Sequence, residues 1–337
     1  MISFDVPSMR SEARTALVGA AVSPKKLIMV HSGVTIGLGL VLSVLSYLLG
    51  LGIDETGGLS GIGMRAVLET VQTVLQMANL ILVPFWAMGY IRAVLQWKDG
   101  TLVDSSTLFA GFRCWGAVLR CLLLQGVIYV ALMILGMQLA SFVFMLTPSA
   151  QAMYTLAEEM TAQGVTDITA MLESDAYQTA TMAMLPYVLV GMLIFVIPAA
   201  WRLRFTDYAL MDAPEAGALR AIRKSLRLTR KNFLPLLKLD LHFWWFYLAQ
   251  GLIAVLGYGD LLLDMAGVEL GMRADVAMFV FYIAALVCEF GLYVWKKNEV
   301  FVTYGLAYEQ LATARGVPVA APVQKKVPWN YGNTPEE

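Results

Sequence analysis

The chain has 337 residues, of which 58% are apolar and only 15% are charged, and its mean hydropathy is +0.66. Soluble domains carry about a quarter charged residues, so this composition excludes an ordinary soluble protein and predicts an all-α, polytopic transmembrane helical bundle. The net charge of −1 gives no support for nucleic-acid binding, and three cysteines without a CxxC pair predict neither a disulfide framework nor a metal site. We expect no cofactor.

Residues 1–26 are basic and lack the short apolar core and cleavage site of a signal peptide. We therefore expect a cytoplasmic N-terminal segment, followed by a first span at 27–49. His31 lies one turn inside this span. A histidine that is hydrogen-bonded near the membrane interface is favoured over a metal or proton-transfer site, because no second histidine or carboxylate is close in sequence.

Five further apolar runs predict spans at about 67–95, 117–146, 182–200, 233–256 and 276–295. The stretch 148–181 is acidic, contains no Lys or Arg, and is expected to form the largest outer loop, part of it helical. A further helix should follow the sixth span, with Tyr304 and Tyr308 on one side docking it under the bundle. The membrane domain is thus expected at 27–315, and 316–337 is expected to be a disordered tail.

The distribution of basic residues predicts the orientation of the spans. Of the 24 Lys and Arg, only Arg65 and Arg273 fall in loops assigned to the outside. Under the positive-inside rule, both termini then lie in the cytoplasm and the number of spans is even. Six spans fit this requirement best.

A basic cytoplasmic helix is predicted at 213–231, between the fourth and fifth spans. Asp212, Pro214 and Glu215 have the spacing of a helix start, with an aspartate cap and a capping-box glutamate three positions later. Basic residues then recur at helical spacing, and we take them as candidate contacts for anionic lipid headgroups: Arg220, Arg223, Lys224, Arg227 and Lys231. An ordinary solvated face that carries the positive-inside signal explains the pattern equally well, and both interpretations stay open.

A candidate buried polar cluster lies at the inner ends of the last two spans. Lys238, Asp240 and His242 fall within five positions of the fifth span, and Glu289 is embedded in the sixth. Ionisable groups at that depth are costly unless they pair or line a wet cavity, so each is a candidate functional residue. In the simpler interpretation, Lys238 reaches the headgroups, Asp240 pairs with a nearby cation, and Glu289 pairs with Arg120 or His242.

Three segments carry a resemblance to a known family: RFTDYALMD, EAGALRAIRKSLRLTRKNFLPLLKLDLHFWW and VFVTYGLAYEQL. They resemble the uncharacterised bacterial integral-membrane family catalogued as domain of unknown function 975. The similar positions are Arg204, Tyr208, Ala218, Leu219, Ser225, Asn232, Leu241, Phe243, Trp244, Tyr304 and Tyr308. The resemblance implies a multi-pass protein of the bacterial inner membrane, and no activity. More distantly, the chain is similar to the membrane domain of some bacterial glycerophosphodiester phosphodiesterases, without their catalytic domain.

The chain contains no sequence motif of a hydrolase, a P-loop, a dinucleotide site or a zinc protease. We therefore expect a non-enzymatic scaffold that binds anionic lipid headgroups or a partner protein at the cytoplasmic face. The alternative is a small transporter or channel, with a wet cavity between spans three, five and six that reaches Glu289. A membrane-embedded lipid enzyme would instead require Asp240, His242 and Glu289 to converge.

Overall fold

The structure is a computed structural model that describes residues 4–20, 23–55, 61–101, 103–162, 175–265, 268 and 274–319. The predicted tail beyond residue 319 and the middle of the acidic loop, 163–174, lie outside these residues. Every regular element in the described part of the chain is helical, so the all-α prediction is confirmed.

The helices follow one another with short connections. Their bounds are α1 Val6–Val18, α2 Pro24–Glu55, α3 Gly61–Lys98, α4 Ala110–Arg113, α5 Trp115–Met145, α6 Pro148–Ala162, α7 Asp175–Leu203, α8 Thr206–Asp212, α9 Ala218–Thr229, α10 Phe233–His242, α11 Trp244–Leu256, α12 Gly259–Met265, α13 Ala274–Leu292 and α14 Asn298–Ala314. Two 3₁₀ turns lie at Ser105–Phe109 and Pro214–Ala216, and a π-helical turn, Tyr293–Lys297, joins α13 to α14. The chain forms two compact units, Arg120–Arg204 and the residues on either side of it.

Within the described residues, five helices are long and apolar enough to cross a membrane, and a sixth span exists if the bent pair α10–α11 is one crossing. The five correspond to the predicted spans in α2, α3, α5, α7 and α13. Between 6% and 33% of each apolar window is buried by protein, so lipid must cover the rest. The chain is therefore a multi-pass membrane protein.

The fifth predicted span, 233–256, is not one continuous helix. Phe243 separates α10 from α11, which are bent by 65°. The cause is the packing of the Phe243 side chain, which is fully buried beneath the Arg10 guanidinium and beside the Tyr304 ring. A straight helix through this position would give up these contacts.

Most buried side chains lie in a region that we call the packed end. It comprises α1, the part of α3 from Phe85 to Lys98, the segment 103–113, α8, α9, α10 and α14. Within it α14 packs against α1 and α3, and α8 packs against α3 and α9. Tyr304 and Tyr308 are both buried, as predicted for a docked terminal helix.

Two glycines allow α3 to contact the segment 103–113 at backbone distance. A Cβ at Gly89 would lie 1.8 Å from the Leu108 carbonyl oxygen, and a Cβ at Gly111 would lie 2.0 Å from that of Phe85. Asp104 starts the intervening 3₁₀ turn, and hydrogen bonds from Ser106 and Ser105 hold the pKa of its exposed carboxyl below the usual range. The packed end therefore depends on glycine at both contact points.

The predicted start of the basic helix is wrong. Asp212 ends α8, and α9 begins only at Ala218, after Gly217 with φ of +82°. The Asp212 carboxylate does not cap the helix because it accepts hydrogen bonds from Lys224 at 2.9 Å and from the Tyr308 hydroxyl at 2.7 Å. The helix predicted at 213–231 is therefore the shorter α9.

The unit Arg120–Arg204 is a helical hairpin built on a close backbone crossing. A Cβ at Gly136 of α5 would lie 2.6 Å from the Gly191 carbonyl oxygen of α7. Small residues at such a crossing let two membrane helices approach closely. The connection contains α6, so the prediction that the acidic loop is part helical is confirmed.

Candidate functional site

α9 presents a row of arginines on its outer side. Arg220, Arg223 and Arg227 are exposed, three and four positions apart, and so they share one face of the helix. Arg230 and Lys231, just beyond α9, are also exposed. We call these five residues the cationic surface.

The opposite face of α9 is fixed in the packed end. It consists of small, apolar and hydroxyl-bearing residues, all buried: Ala218, Ala221, Ile222, Ser225, Leu228 and Thr229. The Ser225 hydroxyl accepts a hydrogen bond from the Phe205 backbone N–H at 3.2 Å. The apolar face of α9 therefore contacts protein, whereas the in-plane helix expected from the sequence would bury that face in lipid.

Lys224 differs from the other predicted lipid contacts. It is half-buried, its ammonium pairs with Asp212 at 2.9 Å, and it lies 4.9 Å from the centre of the Tyr308 ring. The same ammonium donates to the Pro318 carbonyl oxygen at 2.8 Å. Lys224 therefore holds α9 against α8 and α14, and it is not part of the cationic surface.

Two predicted members of the buried polar cluster, Lys238 and Arg120, are exposed. Lys238 lies on α10, and Arg120 begins the unit Arg120–Arg204. Each is close to the end of an apolar helix, where a long basic side chain can reach polar surroundings. The structure therefore does not bring Lys238 or Arg120 into a protein-buried cluster, and the exposure of Lys238 fits the simpler interpretation in which it reaches the headgroups.

Asp240 and His242 both contact the packed end. The Asp240 carboxylate accepts a hydrogen bond from Tyr304 at 2.5 Å, and the Tyr304 hydroxyl accepts one from Tyr247 at 2.7 Å. His242 Nε2 lies 3.4 Å from Arg10 Nη1. These two residues of the predicted cluster therefore connect α10 with α14 and α1.

Glu299, at the start of α14, is bound by three basic side chains. Arg10 is hydrogen-bonded to it, Arg14 lies 3.0 Å from the same carboxylate oxygen, and Lys296 lies 3.0 Å from the other. Glu299 is buried, and an unpaired carboxylate there would be costly. The contacts attach α1 to α14, so the N-terminal segment is part of the fold.

A cavity of about 1060 Å³ lies among α2, α11, α12 and α13. It forms because α11 ends at Leu256 while α13 continues beside it, and the short α12 packs through Gly259 against the Phe281 ring. Val44 is the contribution of α2. The described lining residues include none from α5, and the expected contribution of the third span stays a prediction.

Glu289 lines this cavity, and its carboxylate accepts a hydrogen bond from the Tyr293 hydroxyl. That hydroxyl in turn accepts one from the Gln250 amide at 3.3 Å. Arg120 and His242, which were the predicted partners of Glu289, take no part in these hydrogen bonds. Asp240, His242 and Glu289 thus bind three different side chains.

The π-helical turn connects the cavity to the packed end. Lys297 lies one turn beyond Tyr293, with its ammonium 4.0 Å from the centre of the Tyr293 ring and 3.4 Å from His31 Nε2. It also acts on Glu289 through a longer-range Coulomb attraction. π-turns within α-helices are frequent at functional sites.

His31 is buried, which fits a histidine with a structural role. Its ring stacks on Tyr90 with centroids 4.6 Å apart, and its carbonyl oxygen accepts a hydrogen bond from Trp86 Nε1 at 3.1 Å. The position of His31 near the membrane interface stays a prediction. Its approach to Lys297, 266 positions away, has no sequence signal.

Tyr293 and Lys297 were missed at the sequence level, although one signal existed. Glu289, Tyr293 and Lys297 are each four positions apart, the spacing of one helix side.

Among the described residues, no group of His, Cys, Asp or Glu could hold a metal ion. In comparisons with protein families, curated proteins and solved structures, no match to this chain was found.

Proposed function

We propose that the chain is a non-enzymatic scaffold of the bacterial inner membrane, with both termini cytoplasmic, whose cationic surface binds anionic lipid headgroups. The observation that supports it is the row Arg220, Arg223 and Arg227, exposed on a helix whose other face is fixed in the packed end. Because α9 is held rigidly, the three guanidinium groups need no folding step before they bind.

Exposed apolar side chains next to the arginines favour lipid over a purely aqueous setting. Leu219 is exposed on α9, and Phe233 and Leu234 are exposed where α10 begins. Cations next to apolar groups are the composition of a surface that lies at the headgroup level. Each basic residue near an anionic leaflet contributes about 1 kcal/mol, so three can produce a clear lipid preference.

The test uses the full-length protein in nanodiscs of phosphatidylcholine that contain phosphatidylglycerol. The preference for phosphatidylglycerol is measured from the immobilised fraction of each spin-labelled lipid. The variant R220Q/R223Q/R227Q should lose this preference, because three headgroup attractions of about 1 kcal/mol each are removed. An unchanged preference would contradict the proposal.

The matched control is R220K/R223K/R227K, which keeps the charge and changes only its shape. We expect it to retain the preference, since a lysine attracts an anionic surface nearly as well as an arginine. Added salt should weaken the preference of both the wild type and this variant. Loss of the preference in the lysine variant would instead indicate that the headgroup is held by the bidentate geometry of arginine and not by charge alone.

A second candidate function is transport through the cavity, which the position of Glu289 favours. Replacing Glu289 by Cys, in a background without Cys114, Cys121 and Cys288, allows probing with a membrane-impermeant thiol reagent from each side. Labelling would show an aqueous path to this depth. Protection from both sides would contradict transport and leave the scaffold proposal in place.

A further inference from the structure

The described lining of the cavity carries charge of only one sign. Its charged lining residues are Asp260 and Glu289, and no Lys or Arg is among the described residues that line it. Lys297, on the same helix as Glu289, packs on the Tyr293 ring and near His31 and does not line the cavity. Among the described lining residues, a ligand that enters therefore meets carboxylates and no cation.

Apart from Gln250, the rest of the described lining is apolar or aromatic. Aliphatic side chains from α11, α12 and α13 alternate with the rings of Tyr258, Phe279 and Tyr282. Aromatic faces attract cations, most strongly where water is excluded. An apolar lining cannot replace the hydration shell of a bare metal ion, whereas it fits the body of an organic cation.

The cavity is elongated along α13. Its lining residues on this helix run from Val276 to Glu289, which corresponds to about 20 Å at the rise of an α-helix. Glu289 and Gln250 lie towards one end, and Asp260 and Tyr258 lie on the segment that follows α11. A molecule with one charged group and a long or bulky apolar body can fill this space.

Glu289 retains acceptor capacity for such a molecule. A carboxylate offers about four lone-pair positions, and the Tyr293 hydroxyl occupies one of them. The hydrogen bond from Gln250 to Tyr293 orients that hydroxyl and strengthens its donation to Glu289. The carboxylate is therefore held in position while it still faces the cavity.

We propose that this cavity binds a lipophilic cation, whose charged group lies at Glu289 and whose apolar body lies between α11 and α13. An anionic amphiphile would be repelled by Asp260 and Glu289, and a neutral hydrocarbon would remove water from Glu289 without supplying a charge in exchange. The inference is independent of the cationic surface, and it requires binding but not transport.

The experiment compares two ions of the same shape and opposite charge, tetraphenylphosphonium and tetraphenylborate. Saturable binding of each is measured by equilibrium dialysis against the full-length protein in phosphatidylcholine nanodiscs, with empty nanodiscs subtracted. Tetraphenylphosphonium should bind saturably and tetraphenylborate should not. Glu289→Gln, which is nearly isosteric, should weaken tetraphenylphosphonium binding by at least about tenfold, because the attraction acts in a low-dielectric site.

A second pair of variants locates the binding to the cavity. Ala254 lines the cavity, so Ala254→Trp should occupy part of it and weaken saturable binding. Leu252 is exposed on α11 and does not line the cavity, so Leu252→Trp should bind normally. R220Q/R223Q/R227Q should also bind normally, which separates this inference from the lipid proposal.

Equal saturable binding of the two ions would overturn the inference, because charge would then play no part. Wild-type affinity in Glu289→Gln would overturn it as well. So would undiminished binding in Ala254→Trp, provided that the variant elutes as the wild-type particle in size exclusion.

Discussion

The two halves of α3 illustrate two ways of covering apolar side chains. Leu80 in the span is 68% exposed, whereas Trp97 in the packed end is 1% exposed, although both belong to one continuous helix. Lipid covers the first half and protein covers the second. Both regions are therefore apolar in composition, but lipid covers the side chains of one and protein covers those of the other.

The difference explains where charges can act. In the packed end, Glu299 and Asp212 are buried with basic and hydroxyl partners. In the span region, Glu289 lines a cavity and is bound by a single tyrosine hydroxyl in the described structure. The packed end satisfies its buried charges internally, and the span region leaves one charge partly available.

The largest contrast is expected between two identical substitutions at glycines. Gly89→Ala places a methyl group 1.8 Å from a carbonyl oxygen of the packed end, and should cost about 4–5 kcal/mol of unfolding free energy. Gly37→Ala, with nothing within 4 Å of its Cβ, should gain up to about 1 kcal/mol from helix propensity. Unfolding in mixed micelles, followed by tryptophan fluorescence, measures both. Similar effects at the two sites would contradict the comparison.

Leucine-to-alanine substitutions test directly whether protein or lipid covers a side chain. Leu311 in the packed end is fully buried, so Leu311→Ala should cost about 2–5 kcal/mol through lost contacts and a cavity. Leu80→Ala should cost little, because lipid closes around the smaller side chain. The same unfolding assay in one detergent compares the variants, and a large loss at Leu80 would indicate a protein partner at that surface.

Introducing a lysine should distinguish a position that faces lipid from one that faces water. Leu80→Lys places an ammonium in the predicted second span and should cost about 2.5–3.5 kcal/mol for insertion. Leu219→Lys only extends the cationic surface and should be tolerated. Membrane-inserted yield, normalised to expression, is the readout, and equal yields would show that Leu80 does not face lipid.

A smaller effect is expected from the buried ion pair of the packed end. Asp212→Asn removes the charge that pairs with Lys224 and accepts from Tyr308, so it should cost about 1.5–3 kcal/mol. Glu215→Gln, on the exposed 3₁₀ turn, should stay within about 0.5 kcal/mol of the wild type. If both variants unfold alike, the Asp212 contacts do not hold α9 in place.

Membrane spans were predictable because a long apolar run has few alternatives to a helix in lipid. The spacing of Arg220, Arg223 and Arg227 likewise predicted a charged helix face. The break at Phe243 was not predictable, since it depends on packing against Arg10 and Tyr304, which are distant in sequence. Local patterns specify helices, whereas long-range contacts decide where they bend.

The start of α9 shows the same limit. Asp212 and Glu215 have the spacing of a capping box, yet Asp212 binds Lys224 and Tyr308 instead. Tyr308 lies 96 positions away, so no local pattern contains this competition. The environment of Glu289 could not be predicted from the sequence either, because the cavity depends on α11 ending before α13 does.

The most direct test of the account is the depth of the cationic surface in the membrane. Nitroxide labels at positions 223, 80 and 12, in a background without native cysteines, are compared by their collisions with oxygen and with a nickel chelate. We expect label 80 in the hydrocarbon, label 12 in water, and label 223 at the headgroup level, deeper when phosphatidylglycerol is present. A label at 223 as aqueous as that at 12, and unaffected by lipid charge, would contradict the account.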